Sequence, residues 1–146
     1  MKKTNVLFIC SGNSARSQMA EAFLREFAGD KFDVYSAGLE AKGIHRYTRQ
    51  VMEEIGFDIS DQYSKSLSKY LGKKHFGIII TVCEKAEEEC PVFPGVSTRM
   101  YWPFDDPTQY QGNEDEKVNK FREVRDSIKN KIKNRLENKA NKKIKN

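Results

Sequence analysis

The chain has 146 residues, 38% hydrophobic and 32% charged, which suits one globular domain with a real core and leaves no need for a second. No apolar run approaches the ~20 residues of a membrane-spanning helix, and the first, Val6 to Ile9, is too short for a signal peptide, so the expected location is cytoplasmic. Residues 129–146 hold eight Lys/Arg against the single acid Glu137, a charge of +7, so the overall +5 leaves −2 on residues 1–128.

Strand and helix patterns alternate along the chain. Asn5 to Ile9 (NVLFI) reads as a strand that runs into Cys10, and Gln18 to Ala28 as a helix with Met19, Phe23 and Phe27 on one face and Gly29 as its stop. Phe32 to Ala37 forms a second strand closed by Gly38, and Thr48 to Ile55 a second helix ended by Gly56. Ser66 to Leu71 reads as a short helix. Phe76 to Val82 (FGIIITV) is the most continuously apolar stretch, as a strand covered on both faces requires. A Cys/Glu/Pro-rich segment follows, then a fourth strand from Ser97 to Tyr101 and the loop WPFDDP.

The last helix starts at NEDE, where Asn113 caps and Glu116 reaches back, and carries Val118, Phe121, Val124, Ile128 and Ile132 at helical spacing. Four strands with intervening helices specify an α/β fold: a single doubly wound domain, a four-stranded parallel sheet flanked by helices. Residues 1–136 are read as that domain and 137–146 as a basic tail, a solvated helix face with a frayed end. The tail has no aromatic residue for base stacking, so neither nucleic acid nor membrane is an expected partner.

The three cysteines, Cys10, Cys83 and Cys90, are an odd count without a secretory signal, which argues for catalysis, metal binding or burial over a disulfide framework. C-x6-C spacing and two scattered histidines, His45 and His75, do not suit zinc, so no metal is expected. Cys10 ends the first strand, at the carboxyl edge where open α/β sheets bind ligands. The loop from Ser11 through Gly12, Asn13, Ser14 and Ala15 to Arg16 enters a helix, so backbone N–H groups and a helix dipole converge on one point. That is a cradle for a tetrahedral oxyanion. Gly12 permits a tight turn or positive φ, Asn13 tolerates similar geometry, and Arg16 can grip two anion oxygens. The same field favours a thiolate on Cys10, and Ser17 can donate a hydrogen bond to that sulfur.

CSGNSARS matches the C-x5-R-S loop of the low-molecular-weight protein tyrosine phosphatases. With CSGNSARSQMAE, YSAG at 35–38 and FDDP at 104–107, the chain resembles the thioredoxin-coupled arsenate reductase branch of that family over residues 4–132. The resemblance implies an aspartate as general acid: Asp106, directly before Pro107, holds the motif position and Asp105 is its neighbour. It also implies that the first and third strands are adjacent, so that Cys83, at the end of the third, reaches Cys10. A reductase must supply two electrons, and Cys83 with Cys90 provides the thiols. In a regular helix the two would lie ~10.5 Å apart, beyond the roughly 4.4–6.8 Å of a disulfide, so Glu84 to Glu89 must unwind; four glutamates and little apolar face suit it to that.

The implied reaction is a relay. Cys10 attacks arsenate, Cys83 attacks Cys10 and expels arsenite, Cys90 attacks Cys83, and thioredoxin reduces the final disulfide, with no bound cofactor and the protein acting as a monomer. A low-molecular-weight tyrosine phosphatase with a redox-protected nucleophile, or a non-enzymatic oxyanion-binding switch, are the alternatives. Two positions depart from the resemblance. Ala15 stands where many relatives have a further cysteine. Asn13, Glu21 and Ser36 match a potassium site, but Lys65 replaces an aspartate ligand, so its ammonium is expected to substitute for the ion.

Overall fold

A computed structural model describes residues 2–96 and 98–145, with side chains through residue 138. Its elements are β1 (Thr4–Cys10), α1 (Arg16–Ala28), β2 (Phe32–Gly38), α2 (Arg46–Glu54), β3 (Ile78–Thr81), α3 (Glu84–Glu89), β4 (Thr98–Tyr101) and α4 (Glu114–Lys145). The strands form one parallel sheet in the order β2-β1-β3-β4. The chain moves outward from β1 to β2, then crosses back to β3 on the other side. That reversal opens a crevice at the carboxyl end of β1, where Cys10 sits.

β1 is central and covered on both faces, which is why its apolar run is unbroken: Leu7, Phe8 and Ile9 are fully buried. The third strand is shorter than Phe76 to Val82. Its ladder bonds nevertheless continue at both ends, Gly77 N–H to Asn5 C=O and Val82 N–H to Ile9 C=O, while Phe76 turns into a ring cluster with Tyr35, Tyr70 and Phe93. Ser97, expected to open the fourth strand, lies outside the described residues.

Helix boundaries shift where caps override periodicity. α2 begins two residues before Thr48 because His45 Nδ1 accepts the Tyr47 N–H and caps it. The helix expected over Ser66 to Leu71 contracts to one 3₁₀ turn, Leu67–Lys69, capped by Ser66. Glu84 to Glu89 is helical despite its charge, with Cys83 as N-cap. α4 begins as read, with Asn113 and Glu116 bonding each other's N–H groups, and its buried Val118, Phe121, Val124, Ile128 and Ile132 face the domain. Its backbone stays helical past residue 136; the end of the basic tail, where fraying was expected, has its side chains outside the described residues. α1 packs against β2 and α4, and α4 also receives α2. No helix among the described residues is long and apolar enough to cross a membrane.

Candidate active site

The loop after β1 is held by its carbonyls. Those of Cys10, Ser11, Gly12 and Ser14 accept from the backbone N–H groups of Leu39, Glu40, Lys42 and His45, and Thr48 Oγ1 also donates to Ser14 C=O. Because N–H and C=O of a trans peptide point oppositely, the following amides turn inward. Asn13 N–H shows the result, reaching Cys10 Sγ at 3.1 Å. Ala15, the N-cap residue of α1, offers no side-chain acceptor, so the first-turn N–H groups of this 13-residue helix have no side-chain cap.

The positive φ expected as an option at Gly12 belongs to Asn13 alone in this loop, at 50°. Gly12 serves a different need: a Cβ there would come within 2.9 Å of the Lys42 side chain, whose stem lies over it. Gly38 is tighter still, since a Cβ would meet Asn13 N at 2.7 Å and Glu40 O at 2.4 Å. The second strand can therefore end against the loop only as glycine.

Beneath Cys10 runs a buried hydrogen-bond chain whose directions can be assigned. Asn13 Oδ1 accepts from Gln18 Nε2 and from Lys65 N–H, both at 2.9 Å, which fixes the amide's orientation. Asn13 Nδ2 then donates to Ser17 Oγ (2.8 Å) and Ser36 Oγ (3.0 Å). With its oxygen already accepting, Ser17 is free to donate its O–H to Cys10 Sγ, 2.7 Å away. Ser36 donates to Glu21 Oε1 at 2.5 Å.

Lys65 occupies the centre of the residues that match a potassium site. Its Nζ donates to Tyr63 C=O at 2.7 Å and Ser36 Oγ at 3.4 Å, and lies 3.7 Å from Glu21 Oε1. Burial pushes the Lys65 amine down and Glu21 pushes it back up. The Lys65 ammonium thus takes up the space among these oxygens. Among the described residues no cluster of His, Cys, Asp and Glu suits a metal.

Above Cys10, one pocket is lined by Cys10, Ser11, Gly12, Ser14, Ala15, Arg16, Lys42, Asp106, Thr108 and Gln109. Arg16 Nη2 lies 3.3 Å from Asp106 Oδ2, and its Nη1 donates to Phe104 C=O at 3.2 Å. Asp106 Oδ1 accepts from Thr108 N–H and Oγ1, which aims its other oxygen at Arg16. Asp105 instead pairs with Lys120 at 2.9 Å and is 78% exposed. Of the two aspartates, Asp106 is the one that lines the pocket with Cys10. Lys42, Thr108 and Gln109 were not foreseen, because they come from loops whose only signal is the fold that closes them over Cys10.

Cys83 follows β3 at the same edge. Thr81 is in register with Ile9 on β1, which sets Cys10 level with Val82, so Cys83 follows one residue beyond on the adjoining strand at the same carboxyl edge. Cys83 is buried, and its Sγ accepts the Ala86 N–H at 3.3 Å, at the start of α3. Cys90 lies at the far end of α3, half-buried, its Sγ directed to Pro91 C=O. Burial raises the Cys90 thiol pKa, Arg99 opposes and Glu87 adds to it. The fold thus gathers Cys10, Arg16, Asp106 and Cys83 at one edge and holds Cys90 apart.

Residues 5–146 match the family model of the low molecular weight phosphotyrosine protein phosphatases. The chain belongs to this family. Within it, an arsenate reductase of Halalkalibacterium halodurans is 44% identical over 128 residues, 88% of this chain and 91% of that one. A solved arsenate reductase in the phosphate binding state superposes with a TM-score of 0.77 at 30% identity, covering 92% of this chain and 98% of its own. A thioredoxin-dependent arsenate reductase of Corynebacterium glutamicum superposes with a TM-score of 0.59 at 29% identity, covering 90% of this chain and 62% of that one.

Proposed function

We propose that this family member is an arsenate reductase that works by a three-cysteine relay and is regenerated by thioredoxin. The observation that carries the reading is the joint placement of Cys10 in an amide cradle, Cys83 at the adjoining strand end, and Cys90 across the short helix α3. A phosphatase needs the first of these alone. The kinship with arsenate reductases supports the substrate, and the thioredoxin-dependent structural neighbour supports the reductant.

Arsenate binds with its oxygens on the loop amides of residues 11–16 and on Arg16, which exchanges its contact with Asp106 for the anion. Cys10 thiolate, held by Ser17 O–H and Asn13 N–H, attacks arsenic; Asp106 protonates the departing oxygen, which leaves as water. Cys83 then attacks Cys10 Sγ. The sulfur–arsenic bond breaks with its electron pair left on arsenic, so arsenic(V) becomes arsenite and a Cys10–Cys83 disulfide forms. Cys90 attacks Cys83 in turn and releases Cys10 as thiolate, and a dithiol of thioredoxin reduces Cys83–Cys90. Every group comes from one chain, which suits a monomer, and the thiols require a reducing compartment such as the cytoplasm.

Single-turnover incubation of reduced protein with arsenate, followed by disulfide mapping, tests the relay. Wild type is expected to end as Cys83–Cys90 and Cys90→Ser to accumulate Cys10–Cys83. Arsenite release that persists unchanged in Cys83→Ser without added thiol would refute it and leave a phosphatase-like site with spectator cysteines.

A further inference from the structure

α3 has little reason to be helical on its own. Six residues, EKAEEE, are far below the length at which an isolated helix holds in water, and Glu88 and Glu89 oppose the dipole at its C-terminal turn. Ala86 is its one buried residue. What fixes the helix is polar. The Glu87 carboxylate accepts from Thr81 Oγ1 on β3 and lies 3.6 Å from Arg99 Nη2 on β4, and that same nitrogen donates to the Glu87 main-chain carbonyl at 3.2 Å. Side chain and backbone of one residue are therefore tied to two strands. A further polar tie at this helix is Cys83 Sγ capping Ala86, which is given up when Cys83 turns toward Cys10.

On the relay reading, Cys90 meets Cys83 only after α3 unwinds, since ~10.5 Å of helical rise exceeds the reach of a disulfide. Contacts that hold α3 in the reduced protein then do two things. They slow the last exchange, and they raise the free energy of the oxidised form relative to the reduced one. The exchange itself balances without an external oxidant: Cys90 thiolate bonds to Cys83 Sγ, the Cys10–Cys83 bond breaks, and Cys10 leaves as thiolate.

We propose that Glu87 is a positioning residue which, through Thr81 and Arg99, clamps α3 to the sheet edge, restraining Cys90 until Cys83 is engaged and keeping the Cys83–Cys90 disulfide easy to reduce. Burial is what raises the Cys90 thiol pKa in this state; of the clamp's own charges, Arg99 opposes that shift and Glu87 adds to it.

Two measurements test it. In reduced full-length protein, α3 amides of Glu87→Gln and Thr81→Val should exchange hydrogen about tenfold faster than wild type, the size of one lost charge-assisted bond that gates local opening. In a Cys10→Ser background, which isolates the second pair, the Cys83–Cys90 disulfide of both variants should be about tenfold more stable against dithiothreitol, or ~30 mV more reducing. Glu88→Gln removes the same charge from the same helix but only relieves its opposition to the dipole, so it should leave both values unchanged or shift them in the opposite direction to Glu87→Gln. Variants within twofold of their parents in both measurements, or Glu88→Gln matching Glu87→Gln, would overturn the clamp. A parent protein that never forms Cys83–Cys90 would count against the relay instead, and the exchange rates of the reduced protein would still decide the clamp.

Discussion

Replacing Lys65 by methionine removes the buried ammonium while keeping most of the side chain's volume. Lys65 and Glu21 expose only 5% and 6% of their side chains, so breaking the pair falls in the class of buried ion pairs that costs about 3–5 kcal/mol. Here the cost is smaller. Glu21 keeps Arg25 at 2.6 Å and Ser36, and Tyr63 C=O keeps Gln18 Nε2 at 3.0 Å, so no partner is orphaned. A loss of about 2–3 kcal/mol remains, equal to roughly 4–12 °C in Tm for a domain of this size. Lys65→Asp goes further: it places a carboxylate where the ammonium stood, facing Glu21, and creates a cation site. Thermal unfolding in KCl, NaCl and choline chloride at fixed ionic strength reads this out. Wild type should melt at one temperature in all three, Lys65→Met lower and equally salt-blind, and Lys65→Asp should recover about 2.7 kcal/mol in KCl at a hundredfold excess over its Kd. A wild type that gains stability in KCl over choline chloride, or a Lys65→Met as stable as wild type, would refute the argument.

Three further outcomes follow from the site. Asp106→Asn should lower kcat by about 10²–10⁴-fold and Asp105→Asn should change it little, because only Asp106 lines the pocket with the nucleophile; similar losses in both would reverse the assignment. Lys42→Ala should raise KM for arsenate about threefold at low salt with kcat nearly intact, the effect of one exposed cation lost from the pocket rim; an unchanged KM would remove Lys42 from the site. Burial, then Arg46, pushes the His45 imidazole below its ordinary value, against a smaller upward pull from Asp106. A depressed histidine contributes stability that is present above the unfolded value near 6.5 and is lost as pH falls through the folded one. Protonation also removes the Nδ1 acceptor that caps α2, so His45→Asn, a good cap at any pH, should hold its Tm better than wild type between pH 7 and 5; parallel pH profiles would refute this.

The legible parts of this chain are those in which a local pattern and a tertiary need coincide. The apolar run into Cys10 marks β1 because a strand covered on both faces has nowhere to put a polar residue, and Asn113 with Glu116 marks α4 because a capping box closes within four residues. Ser17 could be placed under Cys10 since seven residues of loop and first turn return to the same point. Less was visible wherever a contact joins distant loops. Lys42 lies on Gly12, and Glu87 meets Thr81 and Arg99, only once the sheet order is known. The helicity of α3 was obscured for the same reason: its own residues disfavour it, and its support comes from β3 and β4.

The outward-tied carbonyls of the nucleophile loop carry one more implication. With Leu39, Glu40, Lys42 and His45 holding that loop from outside, its inner surface is shaped before any anion arrives, and little ordering entropy is spent on binding. A rigid tetrahedral mould cannot tell arsenate from phosphate by shape. Selection must then come after capture, from the central atom's willingness to accept two electrons from sulfur. Phosphorus does not, so any phosphate entering the loop would depart unchanged, and throughput would follow the ratio of the two anions rather than the amount of arsenate alone.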